Sequence, residues 1–208
     1  ALVAKLRQRP VAVVNIGGVA NVTFVDSSGR LIAFDTGPGN ALMDDWVRGK
    51  TGATYDENGT AAGRGSIDAT RLHAYLSNSY FTRPPPKSLD RNAFALPQAD
   101  TLSFEDGAAT LASFTASAIA RCREHLPGEP ALWIICGGGR RNRAVMAMLA
   151  QAVENAVVPA ETVGLDGDSL EAEAWAYLAV RSLAGLPLTF PETTGVHAPL
   201  TGGLVARP

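Results

Sequence analysis

Apolar positions near the start of the chain fall into three short runs rich in β-branched side chains, 11–16, 21–26 and 31–35, with Ser27-Ser28-Gly29-Arg30 between the last two. Runs of that length separated by turn residues predict three consecutive antiparallel strands. After Asn40 the spacing changes. Ala41, Leu42 and Met43 are followed one turn later by Trp46 and Val47, which predicts a helix stopped at Gly49 or Gly52. Residues 82–100 hold Pro84-Pro85-Pro86 and few spaced apolar positions, so they read as a long surface excursion outside the core. Leu111, Thr115, Ala118, Ile119 and Cys122 then recur at helical spacing, with Ser103 and Asp106 as a capping pair and an expected end near Leu126. The continuous apolar run 131–136 predicts a strand buried on both faces, running into Gly137-Gly138-Gly139. A helix over about 142–155, a strand over 156–162 weakened by Pro159, and a helix over 168–184 closed by Gly185 and Pro187 complete the order βββ-α-α-β-α-β-α.

Three antiparallel strands followed by two crossover units resemble the ribonuclease-H-like lobe of actin-like ATPases and sugar kinases. The expected fold is therefore α/β: a five-stranded mixed sheet flanked by helices on both faces, with 131–136 parallel to 11–16. Gly17 and Gly137 should then lie at the same end of the sheet. The 208 residues carry no internal repeat or domain boundary and read as a single lobe. In such proteins nucleotide sits between two lobes, each presenting glycine turns.

Composition narrows the partner. A hydrophobic content of 46% supports a proper core, and 18 Lys and Arg against 20 Asp and Glu leave no electrostatic footprint for nucleic acid or an anionic membrane. A small-molecule partner is expected. Cys122 and Cys136 lack CxxC spacing and read as core thiols of a reducing cytosol. The run 131–136 falls far short of the roughly 20 residues needed to cross a bilayer, and no basic-then-apolar signal opens the chain, so a cytoplasmic protein is expected. Ala1, in place of an initiator methionine, suggests a piece of a longer protein.

Adjacent glycines let backbone N–H groups converge on an anion with no Cβ in the way, so Gly17 and Gly18 could cradle phosphate; a plain hairpin or bulge explains them equally. The turn is not a Walker loop, since no GK[ST] follows. Gly137, Gly138 and Gly139 stand at the carboxyl end of a buried strand and ahead of a helix, where open α/β sheets bind ligands. They read as an adenosine contact or as a tight strand-to-helix turn, and the lack of a later glycine disfavours a dinucleotide site.

Asp35 has three readings: a carboxylate orienting a nucleophile beside a phosphoryl group, a turn cap, or half of an aspartic-protease pair. Asp-Thr-Gly occurs once, against the last of these. His73, His125 and His197 show no metal-ligand spacing, and no metal-binding residue is assigned. Asp56-Glu57-Asn58-Gly59 lacks the glutamate of a calcium loop and reads as a turn; Arg140, Arg141 and Arg143 read as a solvated helix start.

Asn15-Ile16-Gly17-Gly18-Val19-Ala20-Asn21, Phe34-Asp35-Thr36-Gly37-Pro38-Gly39-Asn40, Cys136-Gly137-Gly138-Gly139 with Asn142, and Thr194-Gly195 with Gly202-Gly203 together resemble the anhydro-N-acetylmuramic acid kinase family over essentially the whole chain. The resemblance implies an ATP- and Mg2+-dependent enzyme of cell-wall recycling, which opens the 1,6-anhydro ring of its amino sugar with water and phosphorylates the freed 6-oxygen. It implies Asp35 as catalytic base and Glu171 as a substrate ligand, although Asp168 and Glu171 also have the spacing of a capping box and Glu173 is an alternative. Nucleotide is expected at Gly17, Gly18, Asn21, Gly37, Gly39, Asn40, Gly137, Gly138, Gly139 and Asn142.

The chain departs from the family pattern twice. Lys87-Ser88-Leu89-Asp90-Arg91 stands where the family has Lys-Ser-Thr-Gly-Arg, and no Gly-Thr-Ser-Leu-Asp-Gly phosphate loop is present. The chain is thus expected to be a C-terminal lobe whose N-terminal partner lobe is absent, inactive alone, with a homodimer as a further expectation. The competing function is an actin- or chaperone-like nucleotide-binding module without sugar kinase activity.

Overall fold

The computed structural model describes residues 9–94 and 101–206. Five strands, β1 (Val11–Ile16), β2 (Val19–Val25), β3 (Leu31–Pro38), β4 (Leu132–Cys136) and β5 (Val157–Pro159), form one sheet in the order β3-β2-β1-β4-β5. β1, β2 and β3 pair antiparallel. β4 runs parallel to β1, with Val11 opposite Leu132 and Asn15 opposite Cys136, and β5 runs parallel to β4. A three-stranded meander extended by two parallel strands is the ribonuclease-H-like arrangement the element order predicts. The helices are α1 (Ala41–Thr51), α2 (Ala69–Leu76), α3 (Phe104–Arg121), α4 (Arg143–Val153), α5 (Leu170–Leu183) and the single turn α6 (Pro191–Thr194).

Alternation along the strands divides the sheet into two unequal faces. Val14 and Ile16 of β1, Val22 and Phe24 of β2, Phe34 of β3 and Trp133 and Ile135 of β4 bury against α1, α3 and α4. Each such large side chain contributes about 1.5–3 kcal/mol when fully buried. α3 packs Leu111, Phe114 and Ile119 on the core among smaller residues such as Ala108, Ala112 and Ala118, and Gly107 sits flush on the Trp46 indole, whose Nε1 donates to the Phe104 carbonyl at 2.9 Å. Ser103 caps α3 as its spacing predicts, accepting from the Asp106 N–H at 3.0 Å. The opposite face carries a thinner cluster of Val11, Val25, Leu132 and Ile134 under Ala160 and Leu170. α5 begins there and then runs out with no buried residue, leaving Trp175 66% exposed.

Two departures from the sequence pattern, and one helix stop that falls at the second of its two expected glycines, have physical causes. α2 buries no residue fully; its apolar stripe is only Leu72, Tyr75 and Leu76, half-buried against the main core, and Asp68 starts it by accepting from the Arg71 N–H at 2.9 Å. Thr51 ends α1 and Gly52 follows in the left-handed region, whereas Gly49 lies inside the helix. The excursion after Thr82 is not confined to the surface. Lys87 is buried, and Leu89 and Phe94 pack on the main core beside Tyr80 and Phe81. The rest of that segment, 95–100, lies outside the described residues.

Candidate active site

Three turns meet at the end of the sheet where β1 and β4 finish side by side. The β1–β2 turn uses its carbonyls to hold the β3–α1 turn: Gly17 O accepts from Asn40 N at 2.7 Å, and Gly18 O accepts from Gly39 N at 3.0 Å and Ala41 N at 3.2 Å. None of these turn hydrogen bonds uses the N–H of Gly17 or Gly18, and Gly18 is exposed. A Cβ on Gly39 would sit 2.2 Å from Gly17 O, so only glycine permits this approach. Asn40 reaches across with Nδ2 to the Ile16 carbonyl at 3.2 Å.

The third turn follows β4. Gly137 has φ of 73°, and a Cβ there would meet Asn15 Oδ1 at 2.3 Å; one on Gly139 would meet Ile16 Cγ2 at 2.3 Å. Gly138 has no such contact and is exposed. Asn142 is buried and occupied: its Oδ1 caps α4 at Val145 N, 3.1 Å, and its Nδ2 lies 3.6 Å from Met43 Sδ. Gly37 also faces inward, where a Cβ would meet Ala118 Cβ at 2.9 Å.

On the thinly covered face, register aligns Asp35 of β3 with Asn21 of β2, Asn21 with Asn15 of β1, and Asn15 with Cys136 of β4. This polar row crosses four strands just before the turns. A register shift at Ala20 and Asn21 makes Thr36 the extra residue of a bulge; its buried hydroxyl donates to Ala20 O at 3.1 Å. Bulges re-aim side chains beside functional sites, and here the bulge ends the alternation just beyond Asp35.

Asp35 is gripped by residues of the excursion and by Tyr80 just before it. Its N–H donates to Lys87 O at 3.1 Å, its carbonyl accepts from Tyr80 Oη at 2.6 Å, and its carboxylate Oδ2 accepts from Leu89 N at 2.7 Å. Burial raises the Asp35 carboxyl above its ordinary range, and the Leu89 N–H partly opposes this. The protein gives Oδ1 no hydrogen-bond donor among the described residues. Burial likewise pushes the Cys136 thiol up to about 11, with Glu171 among its lesser causes, which brings the start of α5 near this row.

The Glu171 side chain is exposed and makes no hydrogen bond among the described residues. The capping box that the spacing of Asp168 and Glu171 offered as the alternative reading does not form, because Asp168 binds Arg140 at 2.9 Å and Arg141 at 2.5 Å. The first turn of α5 is closed instead by Ser169 Oγ donating to Glu173 at 2.9 Å. Nor is Arg140 part of a solvated helix start. Its side chain is 6% exposed and ties Glu161 and Asp168 to the Gly137 carbonyl. Asn15, Lys87 and Leu89 stand in stretches named from the sequence but without a role there, and Tyr80 stands in none, since the part each plays depends on register and a long-range contact.

The sequence model of the family described as Anhydro-N-acetylmuramic acid kinase matches residues 1–207. The chain belongs to that family. It is 54% identical to the anhydro-N-acetylmuramic acid kinase of Rhodospirillum rubrum over 96% of this chain and 54% of that protein. It is 52% identical to that of Rhizobium johnstonii over 100% of this chain and 57% of that protein. The chain thus spans about half the length of the curated family members it matches. Among solved structures, the xylulose kinase of Rhodospirillum rubrum is matched at a TM-score of 0.48 and 14% identity over 73% of this chain and 35% of that chain, too loose a likeness to bear on function.

Proposed function

We propose that this chain works as the C-terminal lobe of an ATP-dependent kinase that opens 1,6-anhydro-N-acetylmuramic acid and phosphorylates it to N-acetylmuramic acid 6-phosphate. The observation that carries the reading is the Asp35 carboxylate: half-buried, raised by burial, held through Oδ2 and open at Oδ1, on a polar row beside two glycine turns. A carboxylate so placed can take a proton from water. As the water oxygen bonds to C1 of the sugar, its proton passes to Asp35, the C1–O6 bond breaks, O6 bonds to the γ-phosphorus and ADP leaves. Catalysis of that kind is mostly positioning and charge stabilisation, which rigid backbone supplies well.

In this reading Gly17, Gly18 and Asn21 approach the phosphates, and Gly137 and Gly138 with Asn40 approach the adenosine. Gly37, Gly39, Gly139 and Asn142 shape the cleft from behind, where their contacts already account for them. Glu171 meets the sugar from the start of α5. Magnesium suits hard oxygen donors, and the amide oxygens of Asn15 and Asn21, on the row beside Asp35, are of that class. Carried in on the nucleotide, it would neutralise charge developing on the transferred phosphoryl group. The setting is cytoplasmic peptidoglycan recycling, where Cys122 and Cys136 remain thiols. No observation favours the actin-like alternative.

The test is Asp35→Asn in the full-length enzyme. The expected result is loss of ~10²–10⁴-fold in kcat, the usual worth of a general base, with ATP binding and thermal stability kept. A stable variant with near-normal turnover would leave Asp35 as a turn residue and remove the base from the scheme.

A further inference from the structure

We propose that Lys87 is a positioning residue for this reaction: its buried side chain locks the backbone clamp that aims the Asp35 carboxylate. The proposal rests on Asp35 being the base. Lys87 is only 7% exposed, and among the described residues no carboxylate lies within ion-pair distance of it. Its Nζ donates to Tyr80 O at 3.1 Å and Phe81 O at 3.4 Å, and lies over the Tyr80 and Phe34 rings at 4.8 and 5.6 Å. His125 Nε2 is 3.2 Å from Nζ and shares the Phe81 carbonyl at 2.8 Å.

Burying an ammonium without a carboxylate is costly, and methionine would fill the same apolar sleeve without that cost. What the ammonium adds is a tie between two pieces of chain. One piece carries Tyr80, whose hydroxyl donates to Asp35 O at 2.6 Å. The other carries the Lys87 carbonyl, which accepts from Asp35 N at 3.1 Å, and the Leu89 N–H, which donates to Asp35 Oδ2 at 2.7 Å. The Lys87 side chain therefore closes a ring through 80–81, 87–89 and Asp35. With it cut, 87–89 is free to draw back and the carboxylate loses the one N–H that fixes its rotation. Lys-Ser-Leu-Asp-Arg can do this without a glycine at 90, because the clamp uses the backbone of 87 and 89.

The direction of the expected pH effect follows from that bond. An N–H donated to a carboxylate favours its charged form, so losing it raises the carboxyl further and moves the acid limb of kcat to higher pH. Of the charged and titratable groups nearby, Tyr80 faces Asp35, while Arg83, Arg121, Glu124, Cys122 and His125 face Lys87. All of these stay in place in Lys87→Met, and Tyr80→Phe removes only the Tyr80 hydroxyl from among them.

The test compares Lys87→Met and Tyr80→Phe with wild type in the full-length enzyme, reading kcat, KM for ATP, the pH profile of kcat, and the titration of the Asp35 carboxyl carbon by NMR. Lys87→Met is expected to lose about 10- to 100-fold in kcat with KM for ATP unchanged, the scale of a small misplacement of a reacting group. Its acid limb and its Asp35 titration should both move upward. A folded Lys87→Met whose limb and titration coincide with wild type overturns the proposal whatever its kcat. If Lys87→Met does not fold, Tyr80→Phe decides, since it removes one hydroxyl from the same clamp: an unmoved Asp35 titration there also overturns it. Should Asp35→Asn prove active, the base reading fails by itself, while the carboxyl titration in Lys87→Met still scores the clamp.

Discussion

Replacing Gly39 by alanine tests the assembly of the three turns without any assay of activity. Gly39 has no positive φ, so alanine carries no backbone strain and the whole cost is contact. The new methyl would stand 2.2 Å from Gly17 O and 3.1 Å from Gly17 C and Val19 C, all backbone atoms that no side-chain rotation can clear. Restoring an ordinary contact of at least 3.4 Å means sliding the β1–β2 turn away by roughly an ångström. That motion breaks hydrogen bonds now at 2.7 Å (Asn40 N to Gly17 O) and 3.0 Å (Gly39 N to Gly18 O). Two such bonds at about 1 kcal/mol each, with about 1–3 kcal/mol for overpacking, give a loss of about 3–5 kcal/mol. At about 2–4 °C per kcal/mol for a domain of this size, the melting temperature should fall by about 10 °C. Differential scanning calorimetry on this chain measures it. Gly49→Ala is the internal control, because Gly49 lies inside α1 with nothing within 4 Å of a new Cβ and should gain about 0.5–1 kcal/mol. A Gly39→Ala protein that melts with wild type would mean that the turns are not locked together as described.

The other expectations concern pH and completeness. Burial raises the Asp44 carboxyl to about 6 from 3.8, so its contribution to stability is full below pH 3.8 and lost as pH rises through 6. Asp44→Asn should therefore stabilise the protein above pH 6, by about 1 kcal/mol after solvent screening, and converge with wild type below pH 4; denaturant melts at pH 4 and pH 8 that show equal differences would refute this. This chain alone should show no measurable phosphorylation of the anhydro sugar by ATP, because it spans about half the length of its family members; steady turnover by the purified chain would overturn the two-lobe reading.

The sheet was legible because its strands are short, β-branched and cleanly bounded, and because 131–136 is apolar at every position, as a strand covered on both faces must be. Register was not legible. Nothing in the spacing of Asn15, Asn21 and Asp35 along the chain says that they stand side by side; that follows from hairpin pairing and from the extra residue at Thr36. α2 escaped for a different reason: in a helix of 8 residues the apolar stripe is only Leu72, Tyr75 and Leu76, none of them fully buried, and its start rests on one aspartate.

The glycines mark the limit of motif reading more sharply. A glycine is required wherever a Cβ would collide, and the sequence does not tell whether the colliding atom belongs to a ligand or to the protein. Gly37, Gly39 and Gly139 each stand against the chain itself, at Ala118, Gly17 and Ile16, so packing alone accounts for them. Gly18 and Gly138 have no protein atom closer than 3.8 Å to an added Cβ and lie exposed at the same end of the sheet, so their open side is where contact with a ligand can occur. The excursion hid its part for the opposite reason. Its run Pro84-Pro85-Pro86 and its charged residues look like surface, yet a buried lysine and two backbone groups from it set the surroundings of Asp35. Composition reports where side chains are apolar; it is blind to a backbone N–H, and the carboxylate at the centre of this site is aimed by one.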